Sequence, residues 1–225
     1  MSIEPFQRTA TGLVQVIVLL VDRDSPAAEA DGLAATALAS VEAYRAAPKE
    51  PAWEVWLSGP FTKSVRRADA KAYAKVKDAH PEAVEAVIGD AATSTARALA
   101  FAPLLMDSLP KTLAKLQVTG TQLPQDKVDD RRGSVRILLN QDLGMTTGKA
   151  AAQAAHALLA WWLLAHDRDE TVTDWWEEAG RPVAVEWARS RDLRAAQNTD
   201  RPGPLIRDAG HTEIEPGSVT AIAII

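Results

Sequence analysis

The chain has 225 residues, 47% of them apolar, and its 30 acidic residues outnumber 25 basic ones to give a net charge of −5. This length suits two small domains or one larger one, and the apolar fraction allows a well-packed core. There is no cysteine, which excludes disulfides, thiolate metal sites and a cysteine nucleophile and is compatible with a reducing cytoplasm.

Charge and hydropathy also bear on possible partners. The negative net charge argues against broad nucleic-acid binding but allows a local basic patch. The first residues carry no basic segment ahead of an apolar stretch, and the apolar run at residues 13–21 is too short to span a bilayer. We therefore expect a cytoplasmic protein that does not associate with a membrane.

In the first half, apolar runs alternate with alanine-rich segments. The pattern predicts strands and helices, with strands at residues 14–21, 61–65, 84–88 and 97–102 and helices at 27–46 and 69–78. The polar stretch TQLPQDKVDDRRG follows and predicts a linker at residues 121–133. We therefore expect one domain at residues 1–120 and another at 134–225.

The second half shows the same alternation. It predicts strands at residues 135–140, 182–187, 204–207 and 218–225 and helices at 147–166, 172–179 and 190–197. Such alternation is typical of α/β proteins. We expect two tandem three-layer α/β/α domains, each with a small mixed four-stranded sheet. The final strand is apolar on both faces, which predicts that it is buried.

A common spacing relates the two halves. An offset of 118 residues places Asp24 on Asp142 and Asp90 on Asp208, and pairs of tryptophans recur at about 120. One offset at both ends favours an internal duplication over the generic similarity of α/β units. The first copy would be degenerate and would pack on the second as an intramolecular pseudo-dimer. At that offset it has replaced the polar residues Lys149, Gln153 and His156 by Asp31, Ala35 and Leu38.

A junction of strand, turn and helix at residues 135–156 has the character of an anion site. A helix N-terminus presents free N–H groups and the positive end of the helix dipole. Lys149 adds a full positive charge in the first turns, and Gln153 and His156 follow on the same helix face. The arrangement suits a bound anion or negative charge that develops during a reaction. Taken alone, Lys149 is more typical of a solvated lysine at a helix start, since most lysines are surface residues.

A second motif, Asp-Ala-Gly-x-Thr-Glu-Ile-x-Pro-Gly-Ser, spans residues 208–218. Together with Asp-Leu-x-Met at 142–145, Gly-Lys at 148–149, and Gln153 and His156, it resembles the type 2 peptidyl-tRNA hydrolases over residues 134–225. The resemblance implies a four-stranded mixed sheet flanked by helices. It also implies that water hydrolyses the ester between a peptide and the 3′ ribose of tRNA, without a metal or organic cofactor.

The resemblance also implies roles for individual residues. Lys149, Asp208 and Thr212 would form the catalytic cluster. Residues expected to bind substrate or support the cluster are Asp142, Met145, Gly148, Gln153, His156, Gly210 and Ser218. The structural alternative is that Asp208 belongs to an ordinary turn after a strand, and this is compatible with the catalytic role.

One departure from the family leaves a second function open. The family often has lysine where Gly144 or Thr147 stands in this chain. A tRNA- or protein-binding scaffold that keeps the fold without turnover is therefore the alternative. Basic side chains expected to hold tRNA phosphates are, in the second half, Arg189, Arg191 and Arg194. In the first half the candidates are Lys63, Arg66, Arg67, Lys71, Lys75 and Lys77, which are also typical of a solvated helix face.

Overall fold

The computed structural model describes residues 12–90, 94–125, 135–210 and 213–225. The first half contains strands β1 (Leu13–Leu20), β2 (Lys63–Ala68), β3 (Val84–Asp90), β4 (Ser94–Ala100) and β5 (Leu104–Leu105). Its helices are α1 (Glu29–Ala46), α2 (Pro51–Ser58), α3 (Ala70–Ala79) and α4 (Lys111–Ala114). The second half contains, in order, β6 (Val135–Asn140), α5 (Thr147–Arg168), α6 (Glu170–Glu178), β7 (Val183–Ala188), α7 (Ser190–Ala196), β8 (Ile206–Arg207) and β9 (Val219–Ile224).

The α/β class predicted from the sequence is confirmed, with differences at particular elements. The elements α2, α4 and β5 were not predicted, and α4 and β5 are too short to carry a recognisable period. Strand β2 begins at Lys63 rather than at residue 61, because Phe61 has a left-handed φ of 60° that closes a turn before the strand. The prediction that the last strand is buried is confirmed, since β9 is buried along nearly its whole length.

Each half builds a mixed sheet with the same order of strands. The first sheet runs β2-β1-β4-β3 and the second runs β7-β6-β9-β8. In each, the two central strands are antiparallel, and an edge strand pairs in parallel with the first strand of that half. The short β5 also pairs with β1, so the first sheet has five strands instead of the expected four.

A continuous apolar core joins the halves. Helices α1 and α5 lie between the two sheets, and their alanine and leucine side chains pack with the inner faces of both. Helices α3 and α4 cover the outer face of the first sheet, and α7 covers the outer face of the second. The small side chains of both central helices allow close approach, which explains their alanine-rich composition. Within the described ranges, no helix is both long and apolar enough to cross a lipid bilayer.

The strand registers give a different spacing between the halves from the predicted one. Gln15 pairs with Lys63 in the first sheet and Val135 with Val183 in the second, so equivalent pairs lie 120 residues apart. The predicted offset of 118 misaligns these strands by two residues. The duplication itself stays a prediction.

Candidate functional site

The start of α5 is shaped by a tight turn after β6. Gly144 adopts a left-handed φ of 57° at the end of a short 3-10 turn, Gln141–Leu143. Thr146 then caps α5, and its Oγ1 accepts a hydrogen bond of 3.4 Å from the N–H of Lys149. Threonine is favoured at this position because its hydroxyl satisfies an N–H group that lacks an intrahelical partner. The turn and the cap place Lys149 in the first turn of the helix.

Lys149 meets the second motif directly. Its Nζ forms an ion pair with Asp208 Oδ2, and the two side chains are 13% and 3% exposed. Gln153, one turn further along α5, donates from Nε2 to the same carboxylate oxygen at 3.0 Å. The other oxygen, Oδ1, accepts from the N–H of Gly210 at 2.8 Å. Lys149, Asp208 and Gln153, predicted from two separate motifs, are therefore in contact in the structure.

A threonine that was not singled out in the sequence completes this cluster. Thr220 is fully buried in β9, and its Oγ1 donates to Gln153 Oε1 at 2.6 Å. That bond orients the amide so that Nε2 points to Asp208. A polar residue inside the apolar run of residues 219–225 was the signal that could have identified it.

The glycine and proline residues of the second motif hold Asp208 in place. The Asp208 N–H donates to Ser218 O at 3.0 Å, and the Gly217 N–H donates to Asp208 O at 2.8 Å. Gly210 has a φ of 79°, and a Cβ there would lie 2.3 Å from Pro216 Cγ. Only glycine fits that position, so Gly210 and Ser218 act through the backbone of the loop. Thr212 lies outside the described residues.

Glu213 ties this loop to the helix start. Its Oε1 accepts from the Thr146 backbone N–H at 2.8 Å and from Thr146 Oγ1 at 3.0 Å. Glu213 stands in the quoted motif but was given no role in the sequence interpretation. A carboxylate is favourable at this point because it faces the positive end of the helix dipole.

Asp142 and Met145 lie in positions that support the fold: Asp142 links two elements, and Met145 is part of the core. Asp142 Oδ2 accepts from the Ser190 N–H at 2.9 Å, which links the end of β6 to the start of α7. Hydrogen bonding from Ser190, followed by the charges of Arg189 and Arg191, lowers the pKa of Asp142. Met145 is buried, with 7% of its surface exposed. In the described part of the chain, no hydrogen bond or ion pair joins Asp142 to Lys149 or Asp208.

His156 faces the first half. Its ring lies against the ring of Phe61, with 5.3 Å between centroids. Burial, then the charges of Lys63 and Lys149, hold the pKa of His156 well below its usual value. His156 therefore lies at the interface between the halves, beside rather than within the cluster of Lys149, Gln153 and Asp208. The helix periodicity predicted a shared face but could not tell which neighbour would cover it.

Two further candidate positions at the start of α5 are also covered by the first half. Thr147 Oγ1 donates to Glu29 Oε1 at 2.6 Å. Gly148 packs against the segment before residue 125, and a Cβ there would lie 3.5 Å from Thr121 Oγ1. The side of the first turn that bears these two residues therefore belongs to the interface.

The two groups of basic residues have different environments. Arg189, Arg191 and Arg194 are all exposed, at and along α7. In the first half, Arg66 is buried and its Nη1 donates to the carbonyl oxygens of residues 113, 114 and 116. Arg67 donates to Thr119 O at 2.9 Å. The first-half cluster is thus neither a uniform solvated face nor a uniform phosphate patch, because these two arginines anchor the end of α4 and the chain that follows it. Among the residues that the structure describes, no three histidine, aspartate or glutamate side chains form a group that could hold a metal ion.

Comparison with known proteins shows that the second half is similar to proteins named peptidyl-tRNA hydrolase. A family model described as "Peptidyl-tRNA hydrolase PTH2" matches residues 134–225. A protein named peptidyl-tRNA hydrolase from Methanocaldococcus jannaschii is 38% identical over 93 residues, which cover 39% of this chain and 81% of the relative. Proteins of the same name from Methanopyrus kandleri and Halobacterium salinarum are 37% and 40% identical over 92 residues, covering 39% of this chain and 79% and 80% of the relatives.

Proposed function

This chain belongs to the peptidyl-tRNA hydrolase PTH2 family, and we propose that its second half hydrolyses the ester bond between a peptide and the 3′ ribose of tRNA. The observation that carries the proposal is the buried contact of Lys149, Asp208 and Gln153 at the start of α5. These residues come from the two motifs that this chain shares with the family. The substrate places the proposed activity in the cytoplasm.

Ester hydrolysis requires a positioned water molecule, an acceptor for its proton and stabilisation of the oxyanion. Asp208 is the proposed acceptor. A carboxylate offers about four acceptor positions, and Lys149, Gln153 and Gly210 occupy three of them. The fourth is proposed to hold a water molecule oriented towards the ester carbon. Asp208 would take a proton from this water as it attacks, and would return the proton to the 3′ oxygen of the ribose as the bond between that oxygen and the acyl carbon breaks.

Lys149 is the proposed electrostatic catalyst. An ammonium group has three donors, and the ion pair with Asp208 Oδ2 needs one of them. The other two can stabilise negative charge on the carbonyl oxygen as water attacks, helped by the dipole of α5. Thr212, from the same loop as Asp208, would hydrogen-bond the water or the substrate. The mechanism calls for no metal or organic cofactor.

Arg189, Arg191 and Arg194 are proposed contacts for the tRNA backbone. All three are exposed, and the charges of Arg189 and Arg191 act on Asp142 immediately after β6. That position lies at the same end of the sheet as the start of α5. Phosphate contacts of this kind position an RNA without reading its sequence.

The first half is proposed to be a degenerate copy that replaces the partner subunit of a dimer. The matching strand order of the two sheets supports this. Phe61 and Arg181, both with left-handed φ and 120 residues apart, also each reach the central helix of the opposite half. The ring of Phe61 lies against the ring of His156 of α5, and Arg181 pairs with Glu42 of α1 at 2.7 Å. The turns that make these contacts are equivalent, although the helix positions that they reach are not. An experimental structure in which the two sheets do not superpose would remove this proposal.

The test of function is hydrolysis of peptidyl-tRNA by the purified protein, compared with Lys149→Ala and Asp208→Ala. We expect turnover by the parent and a loss of about 10²- to 10³-fold in kcat in each variant, as for removal of a group that stabilises the transition state. Arg201→Ala is the control, because Arg201 pairs with Asp169 at the opposite end of α5 from Lys149.

The result also decides on the scaffold alternative. One observation favours the scaffold: Thr147, one of the two positions where the family can have lysine, donates its hydroxyl to Glu29 and is not free for RNA. Binding of tRNA without turnover by the parent would support the scaffold. Equal turnover by the parent and both variants would refute the assignment of Lys149 and Asp208.

A further inference from the structure

A buried hydrogen bond from the first half reaches the turn that carries Lys149. Thr147 Oγ1 donates to Glu29 Oε1 at 2.6 Å, and Glu29 is only 5% exposed. Hydrogen bonds to a carboxylate are roughly twice as strong as those between neutral groups. Thr147 is the first residue of α5, two positions before Lys149. The contact therefore acts where the helix begins.

Glu29 is itself held firmly. It is the first residue of α1, and its N–H donates to Pro124 O at 2.7 Å. Leu123 fills the space beside Gly32, where a Cβ would lie 2.3 Å from Leu123 Cδ1. These contacts join the start of α1 to the chain before residue 125. Glu29 therefore presents its carboxylate from a fixed backbone.

The same part of the first half also lies against Gly148. A Cβ at Gly148 would be 3.5 Å from Thr121 Oγ1 and 3.7 Å from Val118 O. Residues 29–32 and 118–124 thus pack together beside the first turn of α5. Glu213, from the loop of Asp208, holds the other side through Thr146.

We propose that Glu29 is a positioning residue for the hydrolase site, which acts on Lys149 through Thr147. This inference rests on the proposed function. The N–H groups of a first helical turn have no intrahelical partners, and helix ends open easily. Holding Thr147 restricts the first turn and so fixes the approach of Lys149 to Asp208. A misplacement of about 1 Å at a catalytic group can cost about 10²-fold in rate.

The test is a double-mutant cycle on kcat with Glu29→Ala, Thr147→Val and the double variant. We expect each single variant to lower kcat about tenfold with KM little changed, and the double variant to lose no more than either single one. Glu29→Gln should retain at least about half of the parent kcat, because its amide oxygen still accepts the bond from Thr147.

Glu42→Ala is the matched control for a merely structural contact. It removes the ion pair with Arg181 near the opposite end of α1, also between the halves. We expect it to lower the melting temperature without changing kcat. The proposal is overturned if Glu29→Ala keeps kcat within about twofold of the parent, if the two single losses multiply in the double variant, or if Glu42→Ala lowers kcat as much.

A second measurement separates this inference from the proposed function. Turnover by the parent that is lost in Lys149→Ala establishes the function independently of Glu29. If the parent shows no turnover, hydrogen exchange at the amides of residues 147–150 decides the inference. Faster exchange there in Glu29→Ala but not in Glu42→Ala supports a positioning role, and unchanged exchange in both overturns it.

Discussion

The hydrogen bond between Thr220 and Gln153 makes a quantitative prediction that does not depend on activity. Thr220→Val keeps the shape of the side chain but leaves the Oε1 of Gln153 without its donor, in a site where Thr220 is fully buried and Gln153 is 4% exposed. A buried acceptor that loses its partner costs about 1–3 kcal/mol. We expect a free energy of unfolding lower by about 2 kcal/mol, and a melting temperature lower by about 4–8 °C for a chain of this size.

Thr36→Val is the matched control. Thr36 is also fully buried, and its Oγ1 donates to Gly32 O at 2.8 Å. That carbonyl lies inside α1 and keeps its helical hydrogen bond when the hydroxyl is removed. The control should therefore lose only about 0.5 kcal/mol.

The assay is thermal unfolding of both variants, followed by circular dichroism under identical conditions. The reasoning requires Thr220→Val to melt at least about 3 °C below Thr36→Val. Melting temperatures that agree within about 1 °C would refute it, because Gln153 would then not depend on Thr220 for its orientation towards Asp208.

Three further predictions follow from the site and its surroundings. Burial lowers the pKa of His156 in the folded protein, so the stability linked to this residue is fully present above the unfolded pKa of about 6.5 and is lost as pH falls below that value. Melting temperatures measured from pH 7 to pH 5 should therefore fall less in His156→Phe than in the parent. Equal dependence of the melting temperature on pH in the two proteins would contradict this. Alanine at Gly144 would meet open space and suffer only the strain of a φ of 57°, whereas alanine at Gly210 would in addition clash with the ring of Pro216. Chemical denaturation should therefore show a free energy of unfolding lower by about 1 kcal/mol for Gly144→Ala and a clearly larger decrease for Gly210→Ala. The reverse order would be inconsistent with the loop geometry. Alanine at each proposed phosphate contact, Arg189, Arg191 or Arg194, should weaken tRNA binding and reduce the salt slope of the binding constant by about one. Arg201→Ala should change neither, and an unchanged slope in the three variants would argue against these contacts.

Most of the secondary structure of this protein could be predicted from local patterns in the sequence. Strand β6 occupies the predicted residues, and α5 begins at the predicted Thr147. These elements carry a full period of apolar side chains, and Thr146 provides a cap at the helix start. The two-residue strand β5 and the four-residue helix α4 were missed because each spans only about one period of the pattern that would identify it.

The candidate site was predicted only in part. Lys149, Asp208 and Gln153 belong to recognisable motifs, and the structure brings them together. Thr220 and Glu29 were missed because nothing near them in the chain marks their partners. Thr220 bonds a residue 67 positions away, and Glu29 bonds one 118 positions away.

The sequence by itself determined the class of fold, the strand–turn–helix that carries Lys149, and the two motifs of the family. Each depends on residues close together in the chain, where hydrophobic period and turn chemistry act directly. Only the tertiary structure decided that His156 faces Phe61, that Glu29 holds Thr147, and that one apolar core spans both halves. These contacts depend on how α1 and α5 pack between the two sheets, and a helix face has the same sequence pattern whichever surface covers it.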